Sequence, residues 1–382
     1  MPLGEIATIE REAVEAQDIR AGTLYVGLEN IEPGGRFVNV RCVEKGELAS
    51  NKFRFTANHV LYGKLRPYLA KIARPDFTGI CSTDIVPILP GPNVDRRYLT
   101  WMLLSPGLVA LASSRASGAN LPRIAPQTLA SLEIPLVPVS EQRRIADILD
   151  KADALRAKRR AALAQLDTLT KSIFLDMFGD PATNPRQWRK VTLGSVAEVV
   201  TGFAFNSDRY VPSAVGIRLC RGANVLPGRV DWSDLACWPI DEAAACAAFS
   251  LDLGDIVLAM DRPWVAGGFK IAQIRSSDTP ALLVQRVARI RGRDGTETDF
   301  LFHLLRQPSF SRHCRPTETT VPHISPLELR SFAFPYPPSA LQRTFTARVR
   351  QVAKLVREQE SALLRLDALF ASLQHRAFRG EL

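Results

Sequence analysis

Cysteine and histidine are scarce in this chain of 382 residues, which has six of the first and five of the second. Cys42, Cys81, Cys220, Cys237, Cys246 and Cys314 include no C-x-x-C pair, so neither a disulfide framework nor a zinc site is expected, and the thiols are read as reduced. His59, His303, His313, His323 and His375 are too dispersed for a triad; the nearest approach to a ligand set, His313-Cys314 with His323, has no echo elsewhere in the chain. No run approaches the roughly 20 uninterrupted apolar residues of a membrane span. The opening MPLGEIATIEREAVEAQ is acidic where a secretory signal would be basic and then apolar. A soluble, cytosolic protein without a metal is the expectation.

Catalytic fingerprints are missing too. The phosphate loop G-x-x-x-x-G-K-[ST] is absent, because Gly63-Lys64 is followed by Leu65 and preceded by Asn58 where the first glycine belongs. Gly34-Gly35 and Gly267-Gly268 read as turns, and no acidic-x-Lys triplet follows Pro75-Asp76 as a nuclease site would require. Phe334-Pro335-Tyr336-Pro337-Pro338 lacks the Asp or Asn that an amino-methyltransferase places before Pro-Pro-aromatic, and reads as a stop signal. An enzyme with its own active site is therefore disfavoured.

Apolar residues make up 46% of the chain, ample for burial, and the length is too great for one core. Two domains or a duplication are expected, and disorder is excluded. The chain does repeat itself, at a period of 200: LPRIAPQTLASLEIPLVPVSEQR from Leu121 aligns without a gap to VPHISPLELRSFAFPYPPSALQR from Val321. Over 121–180 there are 17 identities with 321–380, where chance gives about four. Upstream the offset drifts between about 190 and 202: Leu3-Gly4 answers Leu193-Gly194, Asn30 answers Asn224, Arg66-Pro67 answers Arg262-Pro263, and Leu99 answers Leu301. The chain reads as two copies of one unit, roughly 1–180 and 181–382.

Each copy begins with short β-prone runs (VLYGKLRPYLAKI, GDIVLAM, VQRVARIR) separated by turns such as EPGG and LPGR, which read as hairpins. Each ends in a long helix. Prolines precede 139–178 and 339–379 and none interrupts them, so both predict helices of about 35 to 40 residues, with Ser140 as a cap of the first. In the second, Phe345, Val349, Val352, Val356, Gln359, Leu363, Leu366, Phe370 and Leu373 form a 4-3 seam that asks for a partner helix. The same phase in the first gives Ile145, Leu149, Ala152, Arg156, Arg159, Leu163, Leu166, Thr170 and Ile173, widened by Ile148, Leu155 and Leu169. The expected fold is α+β: two β-rich domains (1–139 and 181–339) joined by two long antiparallel helices (140–180 and 340–382) as a pseudo-two-fold repeat. The alternative has each helix packed only on its own domain.

The net charge of +10 spreads over both copies but clusters locally. Nine basic residues lie between Arg36 and Arg74, among them Lys52, Arg54, Lys64 and Arg66, against Glu44 and Glu47, interleaved with Asn51 and Tyr68. That mixture suits DNA, since Lys and Arg neutralise phosphates while Arg, Asn and Lys read base edges. In the second copy Arg262-Pro263-Trp264 and Lys270 hold the place of Arg66-Pro67-Tyr68, and Arg289, Arg291 and Arg293 alternate along one strand face. Mid-helix, Arg156, Lys158, Arg159 and Arg160 form a basic belt. Taken one at a time, each of these residues also fits an ordinary solvated face.

IPLVPVSEQRRIADILDKADAL, FLDMFGDPATNPRQW, TLGSVAEVVTGFAF, VLYGKLRPYLAK and the closing HRAFRGEL together resemble the DNA-specificity subunit of type I restriction-modification systems. The resemblance spans essentially the whole chain, and the duplicated order of these pieces is its most specific part. It implies two target recognition domains, each reading a DNA half-site, held apart by spacer helices, with no catalysis and no cofactor of their own. It implies as partners double-stranded DNA, two adenine-N6 methyltransferase subunits using S-adenosylmethionine, and a motor-nuclease subunit using ATP and Mg. It implies that the methyltransferases dock on the helices, where Ile148, Leu155, Leu169, Leu355 and Leu369 are candidates. Segments Ser117–Arg123 and Thr317–His323 resemble a family segment expected near DNA, which adds Arg123 and His323, with Arg115 and Arg315 two residues ahead of the segments as further DNA-binding candidates; Asn30, Arg221 and Asn224 sit at the loop of the repeated hairpin. The lead-in NPRQWRKV has no counterpart before Leu3, so the first domain is read as naturally short or trimmed at its start. A free-standing DNA-binding or architectural protein, and a helical adaptor binding only proteins, are the competing readings.

Overall fold

The computed structural model describes residues 1–265, 267–314 and 322–382. It divides into two compact units, Met1–Ala161 with Glu360–Leu382, and Ala162–Gln359. Each unit holds one β-rich domain together with the start of one long helix and the end of the other.

In the first unit β1 (Ala7–Ile9), β2 (Val60–Gly63), β3 (Ile72–Ala73) and β4 (Ile85–Pro90) form an antiparallel sheet in the order β1-β4-β2-β3. A second, five-stranded sheet contains one parallel pair, Thr23–Val26 with Gly79–Cys81. The run VLYGKLRPYLAKI is the β2–β3 hairpin, its connection making one short turn at Pro67–Leu69. Asp95 caps the helix Arg96–Leu103 by accepting the N–H groups of Arg97 and Tyr98, satisfying donors that a helix start leaves unpaired. In the EPGG turn Gly35 lies at φ 90°, and a Cβ there would stand 2.2 Å from the Ile72 carbonyl oxygen, so only glycine fits.

The second unit repeats this plan. Strands β5 (Ala197–Thr201), β6 (Ile256–Ala259), β7 (Ile271–Gln273) and β8 (Val287–Gly292) take the order β5-β8-β6-β7, matching the first sheet strand for strand. A second sheet again contains one parallel pair, Gly216–Cys220 with Ala281–Leu283. LPGR is a tight hairpin, with Leu226 paired to Arg229.

The long helices are α1 (Val139–Phe178) and α2 (Ser339–Ala377), 40 and 39 residues. The cap assignment needs correcting: α1 begins at Val139, so Ser140 lies inside its first turn. The Pro138 carbonyl, accepting the N–H groups of Glu141 and Gln142, opens the helix instead. Pairing within the first unit is antiparallel. Arg144 donates to the Leu382 carbonyl, while farther along α1 Arg156 meets Asp367 at 2.6 Å and lies 4.2 Å from the Phe370 ring centroid. Ile145, Leu149 and Ala152 are buried there with Phe370. Within the second unit Phe345 and Val349 of α2 are buried with Phe174 and Phe178 of α1, and the Phe178 and Phe345 centroids stand 5.0 Å apart. Val352 is buried, and Leu163, Leu166, Ile173, Val356, Gln359, Leu363, Leu366 and Leu373 are partly covered. Each large apolar side chain removed from water here contributes about 1.5–3 kcal/mol. Among the described residues no helix is long and apolar enough to cross a membrane.

Candidate nucleic-acid interface

Both units build the same device at the end of the central hairpin. Arg66 adopts φ 51°, its N–H donating to the Pro122 carbonyl at 2.7 Å, and the Lys64 carbonyl accepts Ile124 N–H at 3.0 Å. In the second unit Arg262 adopts φ 44°, its N–H donating to the Pro322 carbonyl at 2.9 Å, and the Met260 carbonyl accepts Ile324 N–H at 2.8 Å. A left-handed backbone is costly for arginine, and here the segment leading to each long helix clamps it. Each hairpin tip is thereby riveted to residues 122–124 or 322–324.

This rivet gathers Lys64, Arg66, Tyr68 and Arg123 at one edge of the first unit, and Arg262, Trp264 and His323 at the matching edge of the second. Arg66, Arg115, Arg123, Arg262 and His323 are exposed, and Tyr68 retains 54% of its surface. Trp264 is half-covered, packed on Phe269 with centroids 5.4 Å apart. An acid brackets each edge: Asp84 lies 3.4 Å from Arg123, and Asp261 accepts from His323 Nδ1 at 2.5 Å and from Arg286. Burial opposes ionisation of Asp261, but its Arg286 and His323 hydrogen bonds outweigh that and hold its carboxyl below the ordinary value. Neither acid stands out in the local sequence.

Other candidates are committed to the fold. Asn30 and Asn224 are buried, and each side-chain oxygen accepts the N–H three residues back, from Gly27 at 2.8 Å and from Arg221 at 3.1 Å. Each amide then donates to two carbonyls, those of Val38 and Asn39 or of Asp231 and Asp234. Lys270 is buried with its ammonium on the Gly222 carbonyl, and burial lowers its pKa; the corresponding Lys71 meets the Leu28 carbonyl at 2.6 Å. These are loop staples that the repeated Asn and Lys of the sequence signalled without saying which way they face. Lys52 is buried on the Ser50 carbonyl and hydroxyl. Arg221 pairs with Asp234 at 3.0 Å and Arg54 with Glu12 at 2.8 Å, while the Asn51 side chain accepts from Ala16 N–H at 3.3 Å.

Arg289 and Arg291 do share a strand face, but Arg289 is buried on the Ser250 carbonyl and Glu198, and Arg291 binds Asp255 and Asp252. Arg315 lies outside the described residues. His313 Nε2 donates to the Glu328 carbonyl at 2.9 Å, whereas His323 is on Asp261 and Cys314 is buried. Among the described residues no group of three or more His, Cys, Asp or Glu side chains is placed to hold a metal.

The repeated sheets, rivets and antiparallel helix segments define a duplicated α+β protein whose two copies each present a basic, aromatic-bearing hairpin tip. Residues 1–165 match the family model of the type I restriction modification DNA specificity domain. Over these residues the chain is similar to the specificity subunits of type I restriction enzymes. It is 32% identical over 257 residues to the EcoAI specificity subunit of Escherichia coli, covering 65% of this chain and 42% of that protein. It is 26% identical over 258 residues to the MjaVIII specificity subunit of Methanocaldococcus jannaschii, covering 64% and 60%. The chain thus spans about half the length of the curated relatives it matches. The type I S subunit of M. genitalium shares the fold at a TM-score of 0.56 and 13% identity, over 97% of this chain and 96% of that one. A chain from a type I R-M system, solved in work on its assembly and conformational transition, does so at 0.55 and 22%, over 100% and 97%.

Proposed function

We propose that this chain is the DNA-specificity subunit of a type I restriction-modification system. It reads an asymmetric bipartite target, one half-site per β-rich domain, and directs adenine-N6 methyltransferase and restriction subunits to it. The observation that carries this reading is the duplicated rivet: two hairpin tips, each with an exposed arginine at positive φ followed by proline and an aromatic. Exposed guanidinium groups and rings beside a rigid backbone suit phosphate contact and base-edge readout. Lys64, Arg66, Tyr68, Arg115 and Arg123 serve one half-site; Arg262, Trp264 and His323 serve the other. The two tips differ in sequence around a shared frame, so the half-sites differ.

The chain has no catalysis of its own. S-adenosylmethionine belongs to two methyltransferase subunits, and ATP with Mg to a motor-nuclease subunit. The helices offer docking positions for the methyltransferases in pairs related by the repeat: Leu155 and Leu355 are 51% and 47% exposed, Leu169 and Leu369 46% and 50%. Selection of bound duplexes from a random pool by the chain with its neighbouring methyltransferase tests the reading. Two different defined half-sites around an unspecified middle are expected, with Arg262→Ala relaxing only one of them; a single continuous site would refute it.

A further inference from the structure

The two copies dock their domains onto their helices through ion pairs of opposite polarity. Gln142 of α1 accepts the N–H of Asp95, and Gln342 of α2 accepts that of Glu297. Two residues beyond each anchored position stand Arg97 and Asp299, which therefore occupy the same place. Arg97 meets Asp147 at 2.5 Å and Asp150 at 3.6 Å, and Arg74 meets Asp150 at 2.7 Å. Asp299 meets Arg350 at 2.9 Å. Counted from the shared glutamine, Arg350 holds the place of Asp150, and Ala347 that of Asp147. In one unit the domain edge is basic and the helix acidic; in the other both signs are reversed.

We propose that this reversal is a matching code between β-rich domain and helix. The start of α1 accepts a domain with a basic docking edge, the start of α2 one with an acidic edge, and each disfavours the other. The common parts of the joint, the buried glutamine and the N–H it accepts, are the same in both units and would tolerate an exchange. The charges would not. A first-copy domain seated on α2 sets Arg74 and Arg97 against Arg350, and a second-copy domain on α1 sets Asp299 against Asp147 and Asp150. Like charges at such separations repel, and swapping the sign of one side turns repulsion into attraction. The partner that fits either surface is thus any domain of this fold whose residue at the position of Arg97 or Asp299 carries the complementary sign. This concerns assembly of the chain and does not depend on what its hairpin tips bind.

The test compares Arg350→Asp in two full-length chains, the native one and a chimera in which residues 191–338 are replaced by 1–138. In the native chain the substitution lowers the melting temperature by about 2 °C, and in the chimera it raises it by a similar amount. Shifts of the same sign in both chains, or none in either, overturn the code. Should the chimera fail to fold, Asp299→Arg and Arg350→Asp are combined in the native chain. The double variant is expected to melt above either single one; additive losses overturn the proposal.

Discussion

Gln142 and Gln342 are both fully buried and make matching bonds. The Gln142 side-chain oxygen accepts Asp95 N–H at 2.8 Å and that of Gln342 accepts Glu297 N–H at 3.1 Å. Their amide groups donate to carbonyls just ahead of the helix, Val137 in one unit and Pro337 in the other, and that of Gln142 also to the Asn93 carbonyl of the β-rich domain. A neutral side chain with both a donor and an acceptor is needed at this joint, since it must satisfy a backbone N–H and a carbonyl together.

Gln142→Ala and Gln342→Ala each strand buried polar groups, so each is expected to cost about 1–3 kcal/mol. Urea unfolding followed by tryptophan fluorescence measures the loss. Because Gln142 makes one bond more than Gln342, its loss should be the larger of the two.

Arg66→Ala and Arg262→Ala are expected to leave the melting temperature within a degree or two of the parent, since neither side chain is buried. They are expected to weaken DNA binding by about 1–3 kcal/mol where the arginine reads a base, or to lower the salt slope by about 1 where it holds a phosphate. Binding isotherms at several salt concentrations separate the two.

His303 sits between the rings of Phe302 and Phe345, with centroid distances of 5.2 and 5.3 Å. Burial, with the Arg306 charge adding to it, pushes its pKa down to about 3. The folded chain keeps the ring neutral while the unfolded chain protonates it near 6.5. Its contribution is fully present above pH 6.5 and is lost as pH falls from there toward 3, at up to about 1.4 kcal/mol per pH unit. Denaturation at pH 7.5 and 5.5 should show a smaller acid loss for His303→Phe than for the parent.

An insertion of four residues after Arg159 adds about one helical turn, or 6 Å. It is expected to lengthen the unspecified middle of the target by one or two base pairs and to leave both half-sites as they were. Sequencing of selected duplexes reads both properties at once.

The helices were legible because proline stops and unbroken runs are local signals, and α1 and α2 fill 139–178 and 339–377. The cap was not: Ser140 is a favoured cap residue, but the Pro138 carbonyl opens the helix two residues earlier. The repeat was legible in residues and recurs in strand order. The site was legible in part. Arg66-Pro67 and Arg262-Pro263 were legible as echoes of the repeat, but their place at hairpin tips, the positive φ and the rivet to Pro122 and Pro322 depend on segments about 60 residues away. Lys270 and Arg289 look like surface cations in the sequence. Their burial comes from long-range packing against the Gly222 and Ser250 carbonyls, which no local pattern records.

Methylation sequencing of the host genome with and without this gene tests the central claim most directly. The account predicts that N6-methyladenine disappears from one asymmetric bipartite motif and from nowhere else. An unchanged methylome in a strain that expresses the protein and its neighbouring methyltransferase would contradict it.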